Sequence, residues 1–217
     1  MKITHFNLKK TILRIAFFAF LVGILIAGLS FSNHSAQAEA KGAAAASPQT
    51  TVFQIDPVHT FILFKVGHLG FSQTYGRFTA VNGQFSIPDK GEISIDLTID
   101  ASSLITHDEK RDKHLKGPDF FDTKQYPQIT FKSQSVKALK NNEYEINAII
   151  NMHGKSKLIS TKFQQARRGT DPWGQTRTGG EARFTIKRSD FGINFMIGPD
   201  QIPDEVEVLV SIEGIQK

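Results

Sequence analysis

The chain has 217 residues, of which 40% are hydrophobic and 22% are charged. This composition is typical of a globular protein and excludes a disordered or collagen-like chain. The formal net charge of +5 is concentrated at the N-terminus, because residues 1–38 contain four of the 26 basic residues and no acidic residue. The rest of the chain is nearly neutral and lacks the positive excess expected of a nucleic-acid-binding surface, so no nucleic-acid partner is predicted.

The N-terminal segment, residues 1–38, has the three-part pattern of a secretory signal peptide. A basic part comes first, residues 15–31 are apolar or small and uncharged, and residues 36–38 are Ala-Gln-Ala. Small residues at this spacing predict cleavage after Ala38, with cleavage after Ala40 as the second choice and an uncleaved membrane anchor as the alternative. Export through this signal predicts a periplasmic protein.

Residues 39–50 are rich in alanine, which indicates a short tether. Residues 51–217 are expected to form a single domain, because no internal repeat or second boundary is visible in them. The chain has no cysteine. Disulfides, cysteine-ligated zinc and cysteine-based catalysis are therefore excluded, and the domain has to rely on its hydrophobic core.

Alternation of apolar and polar residues with a period of two predicts β-strands at residues 92–100 and 205–213. Strands of this kind bury one face, as in antiparallel sheets. Many short strands separated by turn-forming residues favour a β-sandwich or a closed barrel. The further predicted strands are residues 51–56, 60–66, 77–87, 127–136, 143–152, 157–167 and 180–188.

One helix is predicted to interrupt the strands, from Thr106 to about Lys116. Thr106 and Glu109 fit a capping box in which Thr106 is the N-cap residue. Gly117 predicts a left-handed stop at the end of the helix, and Pro118 prevents the helix from continuing.

The predicted helix places His107, Arg111, His114 and Leu115 on one face. Two interpretations of this face remain open. It is either a solvated surface or a cationic lid over an apolar cavity that meets a phosphate or carbonyl head group. Arginine suits the second interpretation, because its planar guanidinium can donate two hydrogen bonds to one acceptor group.

Phenylalanine dominates the aromatic residues, with 18 Phe against three Tyr and one Trp. Phenylalanine fills apolar space without a polar group that needs a partner. The composition fits either a densely packed sheet core or a barrel interior that holds an apolar ligand. A barrel of about eight strands is near the size at which either outcome occurs.

Local motifs for catalysis and cofactors are missing from the sequence. The histidines show neither the HExxH nor the HxH spacing of zinc sites, and there is no GxSxG motif, P-loop or dinucleotide-binding fingerprint. No cofactor and no metal site are therefore predicted, although histidines distant in sequence could still meet in the tertiary fold.

Four blocks of residues, in order along the chain, resemble the YceI-like family of periplasmic polyisoprenoid-binding proteins. The first block has an Asp-x-x-His start at residues 56–59, an alternating strand, a His-Leu pair at 68–69 and Gly-Arg-Phe at 76–78. The second, which is the most specific, contains Arg-Asp-Lys-His-Leu. The blocks are residues 56–70 with 76–78, 111–115 with 119–122 and 126–131, 153–155, and 187–192. The chain departs from the family pattern at residues 150–152 and has a longer link at 197–204.

The resemblance implies an all-β fold, a lipocalin-like, extended antiparallel β-barrel of about eight strands with one helix packed across it. Similar proteins bind a long amphiphile inside the barrel, such as a polyprenyl phosphate, a quinone tail or a fatty amide. The implied partner is therefore an isoprenoid or another long-chain lipid. Transient contact with a membrane surface and a homodimer are also considered.

Strand alternation, the clustered phenylalanines and the resemblance together indicate the residues of the site. Arg111 and His114 are expected to contact the head group or to hold the helix across the barrel. The residues expected to line the cavity are Ile62, Phe64, Val66, His68, Phe78, Ile95, Leu97, Phe120, Phe121, Phe131, Phe184 and Phe191.

The leading functional hypothesis is a periplasmic carrier or buffer for such a lipid, and not an enzyme. One alternative is a lipid-modifying enzyme that uses His68 or His114 as an acid or base in the same cavity. The other is an interaction protein whose barrel is fully packed.

Overall fold

The computed structural model describes residues 50–88, 93–198 and 200–217. The predicted signal peptide and cleavage site, and all of the predicted tether except Thr50, lie outside the described residues. Within the described ranges, no helix is both long enough and apolar enough to cross a membrane.

The described chain is built mainly from antiparallel strands. The only α-helix in the described residues, α1, spans Glu109–Leu115. Short 3-10 helices span Ala101–Ser103 and Arg188–Phe191. The strands are β1 Thr50–Ile55, β2 Phe61–His68, β3 Ser72–Phe78, β4 Val81–Pro88, β5 Ser94–Asp100, β6 Leu104–Ile105, β7 Gln128–Ala138, β8 Glu143–Met152, β9 Lys155–Gln165, β10 Gly169–Thr170, β11 Thr176–Lys187 and β12 Glu205–Gln216.

Eight of the described strands close into a barrel. Their hydrogen-bonded order is β12-β1-β4-β5-β7-β8-β9-β11, and β11 returns to β12 along their full lengths, from Arg177 opposite Ile215 to Lys187 opposite Glu205. The prediction of an antiparallel barrel of about eight strands with one helix is confirmed. Closure leaves these strands without a free edge at the seam and creates an enclosed interior.

The second edge of β12 is divided between two strands. Its C-terminal part pairs with β1, whereas residues 207–211 pair with residues 61–65 of β2. Strand β3 then pairs with β2, and β6 pairs with β3. Strand β12 therefore changes its pairing partner from β1 to β2 along its length. The wall formed by β2 and β3 lies beside the eight-stranded ring.

The predicted single strand at residues 77–87 is wrong, since it joins the end of β3 to β4 across a break at Thr79 and Ala80. The backbone N–H groups of Thr79 and Ala80 both donate to the Ser103 hydroxyl, at 3.1 Å each. A side-chain acceptor thus replaces a neighbouring strand at this point. The short strands β6 and β10 were not predicted.

The start of α1 differs from the prediction. Asp108 is the N-cap residue, and its carboxylate accepts a hydrogen bond from the Arg111 N–H at 2.7 Å. His107 has a φ of 62°, so it lies outside the helix, and the predicted capping box from Thr106 is wrong. Thr106 is instead buried, and its N–H and hydroxyl both donate to the Asp112 carboxylate, the N–H at 2.7 Å.

The end of α1 also differs. The helix stops at Leu115, and Lys116 is a right-handed C-cap with a φ of −77°. Gly117 is not among the residues with positive φ, so the predicted left-handed stop at this residue is wrong; the left-handed residue comes later, at Asp122 with a φ of 41°. The Phe121 N–H donates to the Leu115 carbonyl at 3.0 Å, and this hydrogen bond closes a turn that follows the helix.

Candidate ligand-binding site

Two adjoining cavities are formed by the barrel together with the wall of β2 and β3 beside it. The outer cavity, about 440 Å³, lies between α1, β2, β3 and residues 193–202. The inner cavity, about 100 Å³, lies deeper in the barrel between β5, β7, β8, β9, β11 and β12. Both cavities are lined by Ile62, Phe78, Met152, Ile186 and Val208. Because these side chains belong to both walls, the two cavities adjoin each other.

The inner cavity is lined by aliphatic and aromatic side chains with one exception, Thr161. The Thr161 hydroxyl is already engaged, since it donates to the Arg183 carbonyl at 3.2 Å. A ligand in the inner cavity would therefore meet apolar surface only, and its binding there would come from the hydrophobic effect.

The outer cavity combines an apolar wall with a few polar side chains. Its aromatic residues include Phe64, Phe120, Phe121 and Phe195. The ionisable side chains that line it are His68, Arg111, His114 and Arg188. No aspartate or glutamate of the described residues lines this cavity.

Nearly all of the residues predicted to line the cavity do so. Phe191 does not: it is buried in the wall, 1% exposed, in the 3-10 helix after β11. Its carbonyl oxygen is hydrogen-bonded to Nδ1 of His153 at 2.9 Å. The outer cavity contains Phe64, Val66, His68, Phe120, Phe121, Arg111 and His114; the inner contains Ile95, Leu97, Phe131 and Phe184; Ile62 and Phe78 belong to both.

Among the lining residues that were not predicted, two groups differ in whether the sequence contains a signal for them. One lies on β8, where Ile146, Ile150 and Met152 face the inner cavity. Their period-two spacing was a signal that the sequence contained. The other group lies in residues 193–202 and includes Ile193, Phe195, Met196 and Ile202. This irregular segment has no periodicity from which its inward side chains could have been predicted.

Arg111 and His114 connect α1 to its surroundings. The Arg111 guanidinium donates to the hydroxyl and the carbonyl of Thr106, both at 2.7 Å. Nε2 of His114 lies 2.8 Å from the Asp119 carboxylate, and its ring packs edge-on against Phe120 and Phe195 at centroid distances of 5.1 and 5.0 Å. The helix is therefore held across the barrel by both residues, while His107, predicted on the same face, is not part of the helix.

Arg188 is the buried cation of the outer cavity. It is 7% exposed and donates to the carbonyls of Pro203 at 3.0 Å, Phe195 at 3.1 Å and Ile202 at 2.9 Å. Burial lowers the pKa of Arg188, although the charge of Asp204 acts in the opposite direction. The three carbonyl bonds hold the irregular segment against the cavity.

A charged cluster lies outside the two cavities, at the junction of β1 and β2. The Arg177 guanidinium donates to the carboxylates of Asp56 at 2.6 Å, Glu213 at 2.8 Å and Asp171 at 2.6 Å. Candidate metal-ligand atoms of Asp56, His59 and Glu213 lie within 4.8 Å of one another. Nη1 of Arg177, however, already donates to one oxygen of Asp56 and one of Glu213, so the guanidinium supplies the positive charge that a metal would bring.

Comparison with known proteins identifies relatives that match this chain over nearly the whole barrel. A model of the YceI-like domain family matches residues 53–214. Protein YceI of Escherichia coli O157:H7 is 35% identical over 201 residues, which cover 91% of this chain and 97% of that protein. Protein YceI of Salmonella arizonae is 34% identical with the same coverage.

Solved structures share the fold. BcnA of Burkholderia cenocepacia has a TM-score of 0.63 at 25% identity, covering 73% of this chain and 98% of that chain. A polyisoprenoid binding domain from Saccharophagus degradans, implicated in plant cell wall breakdown, has a TM-score of 0.62 at 17% identity, covering 79% and 100%. The second likeness concerns the fold alone. Since the family model spans nearly the whole barrel and the Escherichia coli relative aligns over most of both chains, this chain belongs to the YceI-like family.

Proposed function

We propose that this protein is a periplasmic lipid-binding protein that holds a long apolar amphiphile, such as an isoprenoid, inside the barrel as a carrier or buffer. The observation that carries the proposal is the apolar interior formed by the two adjoining cavities, whose inner part has no free polar group. The structural likeness to the polyisoprenoid binding domain from Saccharophagus degradans supports the same ligand class. The periplasmic location follows from the predicted signal peptide.

The hydrophobic effect is large enough for this role. Burying one five-carbon isoprene unit contributes up to about 4 kcal/mol, at roughly 0.8 kcal/mol per carbon group. Part of this gain offsets the entropy lost when a flexible chain is ordered. A few buried units are therefore sufficient for stable binding, and the inner cavity needs no polar recognition.

Binding is favoured over lipid modification by the state of the two histidines. His114 is engaged with Asp119 and forms part of the wall that carries α1. His68 is exposed at the end of β2, where the outer cavity meets the surface. Among the described hydrogen bonds, neither histidine is paired with a serine, threonine or tyrosine hydroxyl, so nothing there supports a covalent mechanism of hydrolysis.

The proposal is tested by expressing the chain in a bacterium, purifying it from the periplasm and comparing its native and denatured masses. We expect an additional mass that is lost on denaturation and that fragments as a long-chain amphiphile. Absence of an additional mass, together with no uptake of added polyprenol, would contradict the proposal and favour a packed barrel. Turnover of the extracted lipid would favour the enzyme instead.

A further inference from the structure

The outer cavity carries positive charge without a matching negative charge. Arg111 and Arg188 line it, and none of its described lining residues is acidic. Arg111 is exposed and belongs to the rim, whereas Arg188 is buried. Both guanidiniums donate only to neutral oxygens in the described hydrogen bonds.

Arg188 retains unused donors. A guanidinium has five N–H groups, and the three described bonds of Arg188 use one each from Nε, Nη1 and Nη2. Asp204 is the nearby acid, but its two carboxylate oxygens accept from the N–H and the hydroxyl of Ser189, at 2.8 and 2.7 Å. No ion pair within 4.0 Å joins Asp204 to Arg188 among the described residues.

Arg177 differs from Arg188 in having acidic partners. Its guanidinium contacts three carboxylates, each within 2.8 Å. A buried charge is unfavourable unless it is paired, and carbonyl groups compensate it only in part. Arg188 is therefore a buried cation in the lining of the outer cavity, where an anion would be stabilised.

We propose that the outer cavity selects amphiphiles with an anionic head group, a phosphate monoester or a carboxylate, which Arg188 binds through its free N–H donors, with Arg111 contributing at the rim. The apolar chain then extends from the outer cavity into the inner cavity along their shared walls. This inference rests on the proposed lipid-binding function and adds to it the head-group chemistry and the direction of the ligand.

The test uses three probes with the same chain, farnesyl phosphate, farnesoic acid and farnesol, titrated calorimetrically into delipidated protein. We expect farnesyl phosphate to bind at least about tenfold more tightly than farnesol, because hydrogen bonds to charged groups are stronger than neutral ones. Tight binding of both anions would show that either head group is accepted, whereas preference for the phosphate alone would identify the phosphate as the ligand class. Farnesol binding as tightly as both anions would overturn the inference and leave the proposed function intact. Failure of all three probes to bind would contradict the proposed function as well.

Substitutions of the two arginines test which side chain produces the preference for an anionic head group. In Arg188→Met we expect the preference for farnesyl phosphate over farnesol to fall at least about fivefold, and in Arg188→Lys we expect part of it to remain. Arg183→Met is the matched control on β11, the strand that precedes Arg188, since the Arg183 side chain is 73% exposed and lines neither cavity. If Arg188→Met fails to fold by circular dichroism, Arg111→Met takes its place, with an expected loss of about threefold. An unchanged preference in the folded variants would overturn the assignment of these arginines.

Discussion

Asp56 carries a nearly buried carboxylate whose partners keep it ionised. Burial alone would raise the pKa of Asp56, but hydrogen bonds from His59, Arg177 and the Val58 N–H lower it to about 2. The same contact raises the pKa of His59 above its ordinary 6.5, mainly through the hydrogen bond to Asp56. The two shifts are linked, since each describes the same pairing from one side.

We expect the stability of the wild-type barrel to decline at both ends of the pH range. The Asp56 contribution is present above its unfolded pKa near 3.8 and is lost as the pH falls towards 2. The His59 contribution is complete below pH 6.5 and is lost as the pH rises through its raised pKa.

Asp56→Asn should lower the free energy of unfolding at pH 5 and flatten both declines, because the ionised partner is removed. Urea unfolding at pH 3, 5 and 8 measures this. Asp96→Asn, which alters a surface pair with Lys132 at 3.6 Å, is the control and should change little. A pH profile of Asp56→Asn that parallels the wild type would show that the cluster does not stabilise the fold.

Phe131 is a residue of the inner cavity on which the proposed binding depends. Phe131→Ala removes an aromatic ring from the wall of the inner cavity. We expect the binding free energy of a polyprenol to weaken by about 1.5–3 kcal/mol while the strand content is retained. Dissociation rates and circular dichroism give the two measurements. Phe71→Ala is the control, because Phe71 is 87% exposed and lines neither cavity. Equal affinities for both variants and the wild type would place the ligand elsewhere.

At the scale of an element, α1 is held by its contacts and not by its own propensity. It has seven residues and none of them is buried, and an isolated helix of this length is unstable in water. Two connections fix it: the Asp112 carboxylate accepts from Thr106, and Arg111 donates to Thr106 in return. The polar sequence of the helix therefore serves attachment to the barrel.

Asp112→Ala should loosen α1, because it leaves the buried N–H and hydroxyl of Thr106 without their acceptor. We expect a loss of about 1–3 kcal/mol in stability and faster amide exchange over residues 109–116. Hydrogen-exchange mass spectrometry makes the measurement. Glu109→Ala, in the same helix but without a described side-chain contact, is expected to stay within about 0.5 kcal/mol of the wild type. Exchange that is equally slow in both variants would mean that the helix is anchored by other residues.

At the scale of the molecule, the pairing of β11 with β12 closes the barrel and so determines the size of its interior. Glycines allow strands to approach closely near one end of this seam: a Cβ on Gly179 would lie 2.2 Å from the Ile212 carbonyl oxygen. Further along β11, Ala182 lines the inner cavity and is 7% exposed. A small side chain at this position keeps the inner cavity open.

Ala182→Leu should shorten the space available to a bound chain. We expect the affinity for octadecanol to fall about tenfold and that for decanol to change little, with overpacking lowering stability by about 1–3 kcal/mol. Comparative titration of the two alcohols makes the measurement. Ala138→Leu, at an exposed position at the end of β7, controls for added bulk. Equal losses for both alcohols would argue against a chain that extends into the inner cavity.

Much of the barrel followed from local patterns. Alternation identified β5 and β12 and placed residues such as Leu97 inward, because period-two spacing records which face of a strand is buried. It failed between β3 and β4, where the Ser103 hydroxyl interrupts the ladder. The capping-box prediction failed at the start of α1, because the Thr106 hydroxyl donates to the Asp112 carboxylate within the helix and does not cap its first turn.

The sequence by itself determined the all-β class, through the order of apolar residues along each strand, and the family, through four blocks of motif residues. It also identified a part of the side chains that line the interior, because period-two spacing places them on the buried face of a strand. Only the tertiary structure decided that Asp56 meets Arg177, 121 residues away, that the irregular segment after β11 covers the outer cavity, and that Arg188 is buried there without an acidic partner among the described residues. These features arise when the barrel closes. Closure brings together residues from strands far apart in the chain, and periodicity records the burial of each residue but not its partner.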